Sequence, residues 1–265
     1  MLTKEDLQRY DRQIRYEGFG EEGQQRLKAS HVIVAGAGGL GCPASMYLAC
    51  AGVGQITVID NELVELSNLN RQVLHWDEDI GQGKAVSAAR KLRNLNPSIE
   101  VVPITAQITE ANAIDIIKGA SVVVDAMDNF ETRAILNRAC VAERMPFIHG
   151  GVCGLCGQVT TIIPGKTPCL ACLYPQKPRE QTPLPVFGVA PAMVAIIQAT
   201  EAIKIIADFG RLLTGQMLYV NLATMDFCLR EVARKPDCEV CGSGGEIADE
   251  DSSEVLLPFR HNQGL

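Results

Sequence analysis

The stretch that most constrains the fold is residues 31–60, which read HVIVAGAGGLGCPASMYLACAGVGQITVID. A β-branched run at 32–34 is followed by four glycines, a segment of helical composition, and a second β-branched run that ends on Asp60. Because glycine has no side chain, the backbone can bend tightly at a strand-to-helix turn and approach a ligand closely. Residues 31–60 therefore predict a strand, a glycine turn, a helix and a second strand.

The glycine turn has the spacing of a nucleotide-binding motif. Gly36, Gly38 and Gly41 satisfy G-x-G-x-x-G, and an acidic residue about 20 positions further on is placed to accept from ribose hydroxyls. The first N–H groups of the following helix are unpaired, and the helix dipole favours an anion. A packing turn in an unrelated α/β protein would show the same motif. A Walker A loop is excluded, because no Gly-Lys-Ser or Gly-Lys-Thr follows.

Composition limits the class of protein. The 265 residues are 47% hydrophobic and 21% charged, as in an ordinary globular chain that buries a sizeable core. The net charge of -7 argues against nucleic acid and against an anionic membrane, since both attract basic surfaces. The opening residues, MLTKEDLQRYDRQIR, contain no apolar signal region. We therefore expect a cytoplasmic protein.

Strand and helix patterns alternate along the rest of the chain. Residues 84–95 and 110–118 predict helices, each followed by an apolar strand pattern, at 99–103 and 121–126. This alternation is typical of a doubly wound, mostly parallel sheet. Glycine-rich turns after residue 146 and an extended segment at 217–232 predict antiparallel strands. The expected fold class is α/β, with a Rossmann-like sheet and an antiparallel C-terminal addition.

We expect a single domain over residues 1–242 and an acidic, flexible tail at 243–265. The domain opens with a charged helical arm at 1–28, which we interpret as a solvated helix that covers the sheet. Residues 189–209 predict a long helix that overlaps the longest apolar segment of the chain, residues 186–206. Four of its polar residues share one face, which indicates an amphipathic helix packed on a sheet rather than a membrane span: Gln198, Glu201, Lys204 and Asp208.

Four of the ten cysteines predict a structural zinc site. Cys169 and Cys172 form one C-x-x-C knuckle, and Cys238 and Cys241 form another. Two such knuckles supply four thiolates to a tetrahedral zinc ion and leave no coordination position open for catalysis. The alternatives are a redox pair and plain buried thiols.

The other six cysteines are interpreted as free thiols. Cys153 and Cys156 form a third C-x-x-C, but no second knuckle remains to complete a metal site with it. Free buried cysteines are the favoured interpretation, with a regulatory thiol pair as the alternative. The rest fall at apolar positions and are expected in the core: Cys42, Cys50, Cys140 and Cys228.

Polar residues after Asp60 change the expected ligand. Asn68, Arg71 and Lys84 lie in a long polar connection, and Asp128 follows a later strand. Taken singly, each would be interpreted as a solvated side chain. Together they stand near the carboxyl ends of strands, where open α/β sheets bind ligands. Two cations neutralise phosphate oxygens and a carboxylate holds Mg²⁺, which suits a triphosphate, whereas hydride transfer needs none of them.

These motifs together resemble the ThiF/MoeB/HesA family, prokaryotic relatives of the ubiquitin-activating enzymes. The motifs that carry the resemblance are RYDRQIR at 9–15, GAGGLG at 36–41, SNLNRQ at 67–72, GQGK at 81–84, MDN at 127–129 and the two cysteine knuckles. The resemblance implies ATP-dependent adenylation of the C-terminal Gly-Gly carboxylate of a small ubiquitin-like sulfur-carrier protein, with release of pyrophosphate. The carrier would serve thiamine, molybdopterin or related sulfur-transfer metabolism.

The resemblance also implies roles for individual residues. Asp60 would bind the ribose, Asp128 would coordinate Mg²⁺, and Arg12 would act from the neighbouring subunit of a homodimer. The other nucleotide-binding residues would be Gly36, Gly38, Gly39, Gly41, Ser67, Asn68, Arg71, Lys84 and Asn129. Within the whole set, the catalytic residues would be Arg12, Arg71, Lys84 and Asp128.

One departure from the family pattern bears on the chemistry. Many members carry a cysteine in the crossover loop after the first zinc knuckle, whereas residues 173–193 contain none and Leu184 or Pro185 stands near that position. We therefore expect adenylation without an enzyme-bound thioester, followed by transfer of sulfur from an external donor.

Two other functions are alternatives to adenylation. One is an NAD-dependent Rossmann oxidoreductase, and the other is a catalytically inactive, zinc-stabilised binding module.

Overall fold

The computed structural model of the chain describes residues 1–176 and 185–242, so the predicted tail at 243–265 lies outside the described residues. The described strands are β1 (His31–Ala35), β2 (Gln55–Ile59), β3 (Glu100–Ile104), β4 (Val122–Asp125), β5 (Phe147–Cys153), β6 (Cys156–Ile162), β7 (Gln216–Asn221) and β8 (Asp226–Glu231). The described α-helices are α1 (Lys4–Arg9), α2 (Asp11–Ile14), α3 (Gly20–Lys28), α4 (Gly41–Ala51), α5 (Lys84–Leu95), α6 (Ala113–Ile117), α7 (Phe130–Ala142), α8 (Leu170–Leu173) and α9 (Val189–Ala207).

The eight strands form one sheet in the order β3-β2-β1-β4-β5-β6-β7-β8. Neighbouring strands from β3 to β5 are parallel, and those from β5 to β8 are antiparallel. The direction changes after β5 because a tight hairpin leads into β6, whereas parallel neighbours need longer crossover connections. The predicted fold class is confirmed: a Rossmann-like, mostly parallel sheet with antiparallel C-terminal strands.

The two faces of the sheet carry separate hydrophobic clusters. Val32 and Val34 belong to a cluster with residues of α4 and α9. Ile33 and Ala35 belong to a second cluster with residues of α6, α7 and α8. Since successive residues of a strand point to opposite faces, β1 is buried on both sides. The continuous apolar run at residues 32–35 is the sequence pattern expected of a strand that is buried on both faces.

The predicted boundaries need small corrections. Helix α5 has the predicted bounds, whereas α9 ends at Ala207, because Asp208 adopts a left-handed conformation with φ of 56°. Helix α6 is shorter than the predicted 110–118. Its start is delayed because the Asn112 side chain accepts a hydrogen bond from Thr109 N at 2.7 Å and forms a turn before the helix.

The N-terminal arm is three short helices rather than one solvated helix. Helix α3 packs on α9, so the arm covers a helical layer. Tyr10, between α1 and α2, is buried, and its hydroxyl accepts a hydrogen bond from Asn96 Nδ2 at 2.8 Å. Tyr10 is therefore an exception to the solvated character expected of the arm, because it packs between the arm and the end of α5.

Helix α9 is long and apolar enough to cross a membrane by length and composition, yet two of its polar residues are buried and form hydrogen bonds to distant parts of the chain. Gln198 Nε2 donates to the carbonyl oxygens of Asp125 at 2.7 Å and Ile148 at 3.0 Å. Glu201 accepts from Leu213 N at 2.8 Å. Both side chains are buried. Gln198 and Glu201 thus lie on the buried side of α9, whereas Asp208 is exposed, and α9 is a core helix.

Two of the cysteines expected in the core are exposed. Cys42 and Cys140 are buried as predicted, but Cys50 and Cys228 are not. Cys228 lies on β8, the edge strand of the sheet, where every residue is exposed, and Cys50 lies on the outer side of α4. The apolar neighbours of a cysteine in sequence do not reveal whether its strand is central or its helix face is covered.

Candidate active site

The candidate site residues follow three strands that end at the same level. Ala35, Ile59 and Asp125 are the last residues of β1, β2 and β4, and they are register partners in the sheet. Because these strands are parallel, the segments that leave them start from one carboxyl edge. The glycine turn, Asp60 and residues 126–129 are therefore brought together, as the sequence predicts.

The glycine turn requires glycine at two positions. Gly36 has a φ of 108°, and a Cβ there would lie 2.5 Å from the carbonyl oxygen of Ala126. A Cβ at Gly41 would lie 1.8 Å from the carbonyl oxygen of Gly36. The turn is thus folded on itself and pressed against the segment that leads to Asp128. At the carboxyl ends of β1, β2 and β4, where the sheet forms its binding crevice, the turn therefore presents backbone rather than side chains.

Asp60 fastens the glycine turn to the end of β2. Its Oδ2 accepts a hydrogen bond from Ala37 N and its Oδ1 accepts one from Glu62 N, both at 2.8 Å. Each carboxylate oxygen keeps a second acceptor position for a ribose hydroxyl. Burial raises the pKa of Asp60, while the two backbone N–H groups lower it.

Lys84 is a buried cation with one acidic partner. Its Nζ lies 2.5 Å from Glu62 Oε2, and the Glu62 side chain is 59% exposed. A buried ammonium requires a compensating charge, which Glu62 supplies in this structure. Sequence analysis did not single out Glu62, although its position two residues after Asp60 is a usable signal.

Arg71 lies beside the glycine turn. A Cβ at Gly39 would be 3.6 Å from Arg71 Cγ, and the Arg71 Nη1 donates to Ser67 O at 2.7 Å. Asn68 is buried, and its Oδ1 accepts from Glu65 N at 3.0 Å, so this part of the side chain shapes the turn of the connection. Arg71 Nη1 also donates to Asn70 Oδ1 at 3.0 Å, so the guanidinium is held by the connection that carries it, next to the glycine turn.

Asp128 and Asn129 follow β4 and have different surroundings. Asp128 is exposed, and its Oδ1 lies 3.4 Å from Asn129 Nδ2. Asn129 is the N-cap of α7, where its Oδ1 accepts from Thr132 N at 2.9 Å. An accessible carboxylate at the edge of the crevice suits a hard cation such as Mg²⁺, which prefers oxygen ligands and keeps several waters.

Arg12 is placed apart from these residues. It lies on α2, which packs on α1 and α3, and its side chain is exposed. No hydrogen bond or ion pair joins it to the residues that the structure describes. The fold of this chain therefore does not bring Arg12 into the hydrogen-bonded network of the crevice.

A buried histidine completes the support of the glycine turn and was missed by sequence analysis. His75 Nε2 lies 2.9 Å from Ala37 O, and its Nδ1 lies 3.0 Å from Ser87 Oγ. Burial lowers the pKa of His75, which favours the neutral ring that donates one bond and accepts the other. Ala37 is therefore held through both its N–H and its carbonyl group. Nothing in the local spacing predicts this contact, because the loop that carries His75 is irregular.

The four predicted zinc ligands form one cluster. The Sγ atoms of Cys169, Cys172, Cys238 and Cys241 all lie within 4.8 Å of one another. The Sγ atoms of Cys172 and Cys241 lie 3.4 Å apart and those of Cys169 and Cys238 lie 3.7 Å apart, too far for disulfides. A hydrogen bond from the Cys172 thiol lowers the pKa of Cys169 to about 4. Four sulfurs that converge at these distances fit a tetrahedral zinc ion.

The third C-x-x-C lies at the β5–β6 hairpin. Cys153 and Cys156 are register partners across the turn and are half-buried rather than fully buried. They join no metal-binding group among the residues of the two described ranges. Their interpretation as free thiols is retained, with more exposure than expected.

Comparison with known proteins identifies the family. The model of the ThiF family matches residues 10–240 of the chain. The chain belongs to the ThiF family. Among its relatives, the SAMP-activating enzyme E1 of Haloferax volcanii is 45% identical and covers 96% of each chain. The sulfur carrier protein adenylyltransferase of Thermus thermophilus is 40% identical and covers 99% of this chain and 98% of the relative.

Solved structures agree with this assignment. MccB of E. coli, determined with ATP, superposes with a TM-score of 0.80 and 28% identity, covering 88% of this chain and 73% of MccB. This structural similarity and the names of the sequence relatives identify the chain as an adenylyltransferase of the E1-like class. The oxidoreductase alternative has no support, because Arg71 and Lys84 would have no task in hydride transfer.

Proposed function

We propose that this protein uses ATP to adenylate the C-terminal Gly-Gly carboxylate of a small ubiquitin-like sulfur-carrier protein and releases pyrophosphate. The observation that carries the proposal is the shared carboxyl edge of β1, β2 and β4, from which the glycine turn, Asp60 and the segment of Asp128 leave. Arg71 lies beside Gly39 of the turn, and Lys84 is paired with Glu62, two residues after Asp60. Two relatives, a SAMP-activating enzyme and a sulfur carrier protein adenylyltransferase, support the substrate class.

In the proposed reaction, an oxygen of the carrier carboxylate attacks the α-phosphorus of ATP. The bond between the α-phosphorus and the bridging oxygen breaks, and pyrophosphate leaves with the electron pair. Arg71 and Lys84 stabilise the charge on the phosphate oxygens, so Lys84 exchanges its Glu62 partner for phosphate. Asp60 binds the ribose, and the nucleotide lies against Gly36, Gly38, Gly39, Gly41, Ser67, Asn68 and Asn129.

Two metal ions fit the residues present. Mg²⁺ would supply positive charge to the phosphate oxygens when bound, and Asp128 would hold it. Zn²⁺ would be held by Cys169, Cys172, Cys238 and Cys241 and would stabilise structure only, because four thiolates complete its coordination.

A homodimer with Arg12 acting in trans is part of the proposal. The connection between β2 and α5 borders the crevice and exposes several apolar side chains, among them Leu63 at 57%, Leu66 at 70% and Trp76 at 54%. An exposed apolar surface of this kind suits a protein partner. A second copy on this surface would bring an exposed arginine of its arm toward the triphosphate.

We further propose that the adenylate is the final product on this chain. Residues 173–193 contain no cysteine to form a thioester, although 177–184 lie outside the described residues. An external donor would then deliver sulfur to the activated carboxylate. The reaction would take place in the cytoplasm, in thiamine, molybdopterin or related sulfur-transfer metabolism according to the carrier.

The decisive experiment is exchange of labelled pyrophosphate into ATP. We expect exchange that requires both Mg²⁺ and a Gly-Gly carrier, and a loss of about 100-fold in Asp128→Ala. Glu131→Ala is the matched control, because Glu131 is an exposed acid on the first turn of α7. Exchange that is independent of the carrier, or equal in the two variants, would contradict the proposal. ATP binding without exchange for every carrier would favour an inactive binding module.

A further inference from the structure

Asp125, three residues before Asp128, forms a buried hydrogen bond with His149, and neither residue has a role in the proposed adenylation. Asp125 at the end of β4 and His149 of β5 are register partners, and both side chains are buried. His149 Nδ1 lies 2.7 Å from Asp125 Oδ2. An ionised carboxylate only accepts hydrogen bonds, so Nδ1 carries the proton and donates it.

The second ring nitrogen indicates why a histidine is present. His149 Nε2 is buried and has no hydrogen-bond partner in the part of the chain that the structure describes. An unpaired buried polar atom is unfavourable, and an apolar side chain would avoid it. What an apolar side chain would lack is the donor at Nδ1. The histidine is therefore explained by its bond to Asp125.

Asp125 in turn holds the backbone beside Asp128. Asp125 Oδ1 accepts from Met127 N at 3.1 Å, and Met127 O accepts from the Arg133 guanidinium. On the other side, Asn129 is fixed as the cap of α7. The backbone on both sides of Asp128 is thus anchored, while its carboxylate is exposed to the crevice.

Arg133 is a second cationic neighbour of the same carboxylate oxygen. Arg133 Nε lies 3.4 Å from Asp125 Oδ2 and makes no hydrogen bond to any described residue. While His149 holds Oδ2, the carboxylate is oriented so that Oδ1 reaches Met127 N. Without the histidine donor, the carboxylate is free to rotate toward Arg133, which would weaken its bond to Met127.

We infer that His149 is a positioning residue for the Asp128 carboxylate and acts through Asp125 and the backbone of Met127. The inference rests on the proposed function, in which Asp128 holds Mg²⁺. Loss of a residue that orients a metal ligand lowers metal affinity by about 10–100-fold. His149 therefore sets the affinity for the metal rather than the rate at saturating metal.

The test compares His149→Leu with His149→Asn. Leucine removes the donor, whereas the asparagine amide nitrogen occupies the place of Nδ1 and restores it. Mn²⁺ affinity in the presence of ATP is measured by electron paramagnetic resonance, and the Mg²⁺ concentration for half-maximal pyrophosphate exchange is measured in parallel. We expect His149→Leu to weaken both by about tenfold with little change in exchange at saturating Mg²⁺, and His149→Asn to stay within about threefold of wild type.

Ile148→Val is the control for a general loss of packing. Ile148 is the buried neighbour of His149 on β5, and its substitution leaves the bond to Asp125 in place. Unchanged Mn²⁺ affinity in His149→Leu, a failure of asparagine to restore it, or an equal loss in Ile148→Val would each overturn the inference. If wild type shows no exchange but His149→Leu still weakens Mn²⁺ binding, the proposed function fails while the positioning role stands.

Discussion

At the scale of single residues, Gly36 and Gly38 differ in what their backbone positions allow, although both belong to the same motif. Gly36 has a φ of 108° and meets the Ala126 carbonyl, whereas the nearest atom to a Cβ at Gly38 is Gln72 Nε2 at 3.7 Å. We expect Gly36→Ala to lower the free energy of unfolding by about 2–3 kcal/mol. Gly38→Ala, as the matched control, should change it by less than about 1 kcal/mol. Urea denaturation measures both, and equal losses would contradict this account of the turn.

A second prediction concerns Asp6, whose pKa is lowered to about 2, chiefly by the hydrogen bond from Lys28. Because the pKa is lowered on folding, the ionised carboxylate stabilises the protein above the unfolded pKa of about 3.9, and this stability is lost as the pH falls toward 2. Lys28 is partly exposed, so Asp6→Asn should cost only about 1 kcal/mol at pH 7.

The measurement is urea denaturation of Asp6→Asn and wild type at pH 7, 4 and 3. The difference between them should be constant from pH 7 to about 5 and shrink below about 4. Glu5→Gln is the control, because the Glu5 side chain is 74% exposed and lies 3.6 Å from Arg9. A difference for Asp6→Asn that grows as the pH falls would reverse the expected sign.

At the scale of elements, α9 is attached to the sheet by polar bonds as well as by packing. Gln198 bridges the carbonyls of Asp125 and Ile148, on two neighbouring strands. Gln198→Ala should lower the free energy of unfolding by about 2–3 kcal/mol, because it leaves a cavity and two acceptors without this donor. Thr200→Ala on the exposed side of α9 should stay within about 0.5 kcal/mol. Thermal denaturation that does not separate the two variants would mean that the bridge contributes nothing.

The same helix shows what a sequence pattern can predict and what it cannot. The length of α9 and the shared face of Gln198 and Glu201 follow from local periodicity, so both were predicted. Which way that face points depends on the carbonyl acceptors that β4 and β5 supply to Gln198 and on the donors that β6 and the segment before β7 supply to Glu201. Polar residues on a helix ordinarily face water, and here tertiary hydrogen bonds reverse the rule.

At the scale of the whole molecule, the sequence predicted those features that are formed by residues close together in the chain. The glycine turn, Asp60 and the cysteine knuckles each depend on spacing within one short segment. The contacts of Asp125 with His149 and of Ala37 with His75 depend on which distant segments become neighbours, and one sequence does not fix that. Cys228 was misplaced for the same reason, because only the strand order shows that β8 is an edge.

The cysteine cluster joins parts of the chain that are distant in sequence. Cys169 precedes α8 and Cys172 lies within it, whereas Cys238 and Cys241 follow β8. The hydrogen bonds that attach this last segment to the rest of the chain include one from Lys235 N to Cys172 Sγ and one from Arg234 Nη1 to Gly165 O, both at 3.4 Å. We expect one zinc ion per chain by atomic emission. Its removal by a chelator should lower the melting temperature by about 10 °C, or about 3 kcal/mol.

Two cysteine variants distinguish a bound zinc ion from a cluster of metal-free thiols. Cys238→Ser should lose zinc and melt like the chelated protein, and a protease should cleave it first after β8, where the segment is released. Cys228→Ser is the matched control, because Cys228 is an exposed thiol on β8, and it should keep its zinc and its melting temperature. The zinc would have no structural role if the chelated and loaded proteins melted together. Loss of zinc from Cys228→Ser would show that the ion is bound elsewhere.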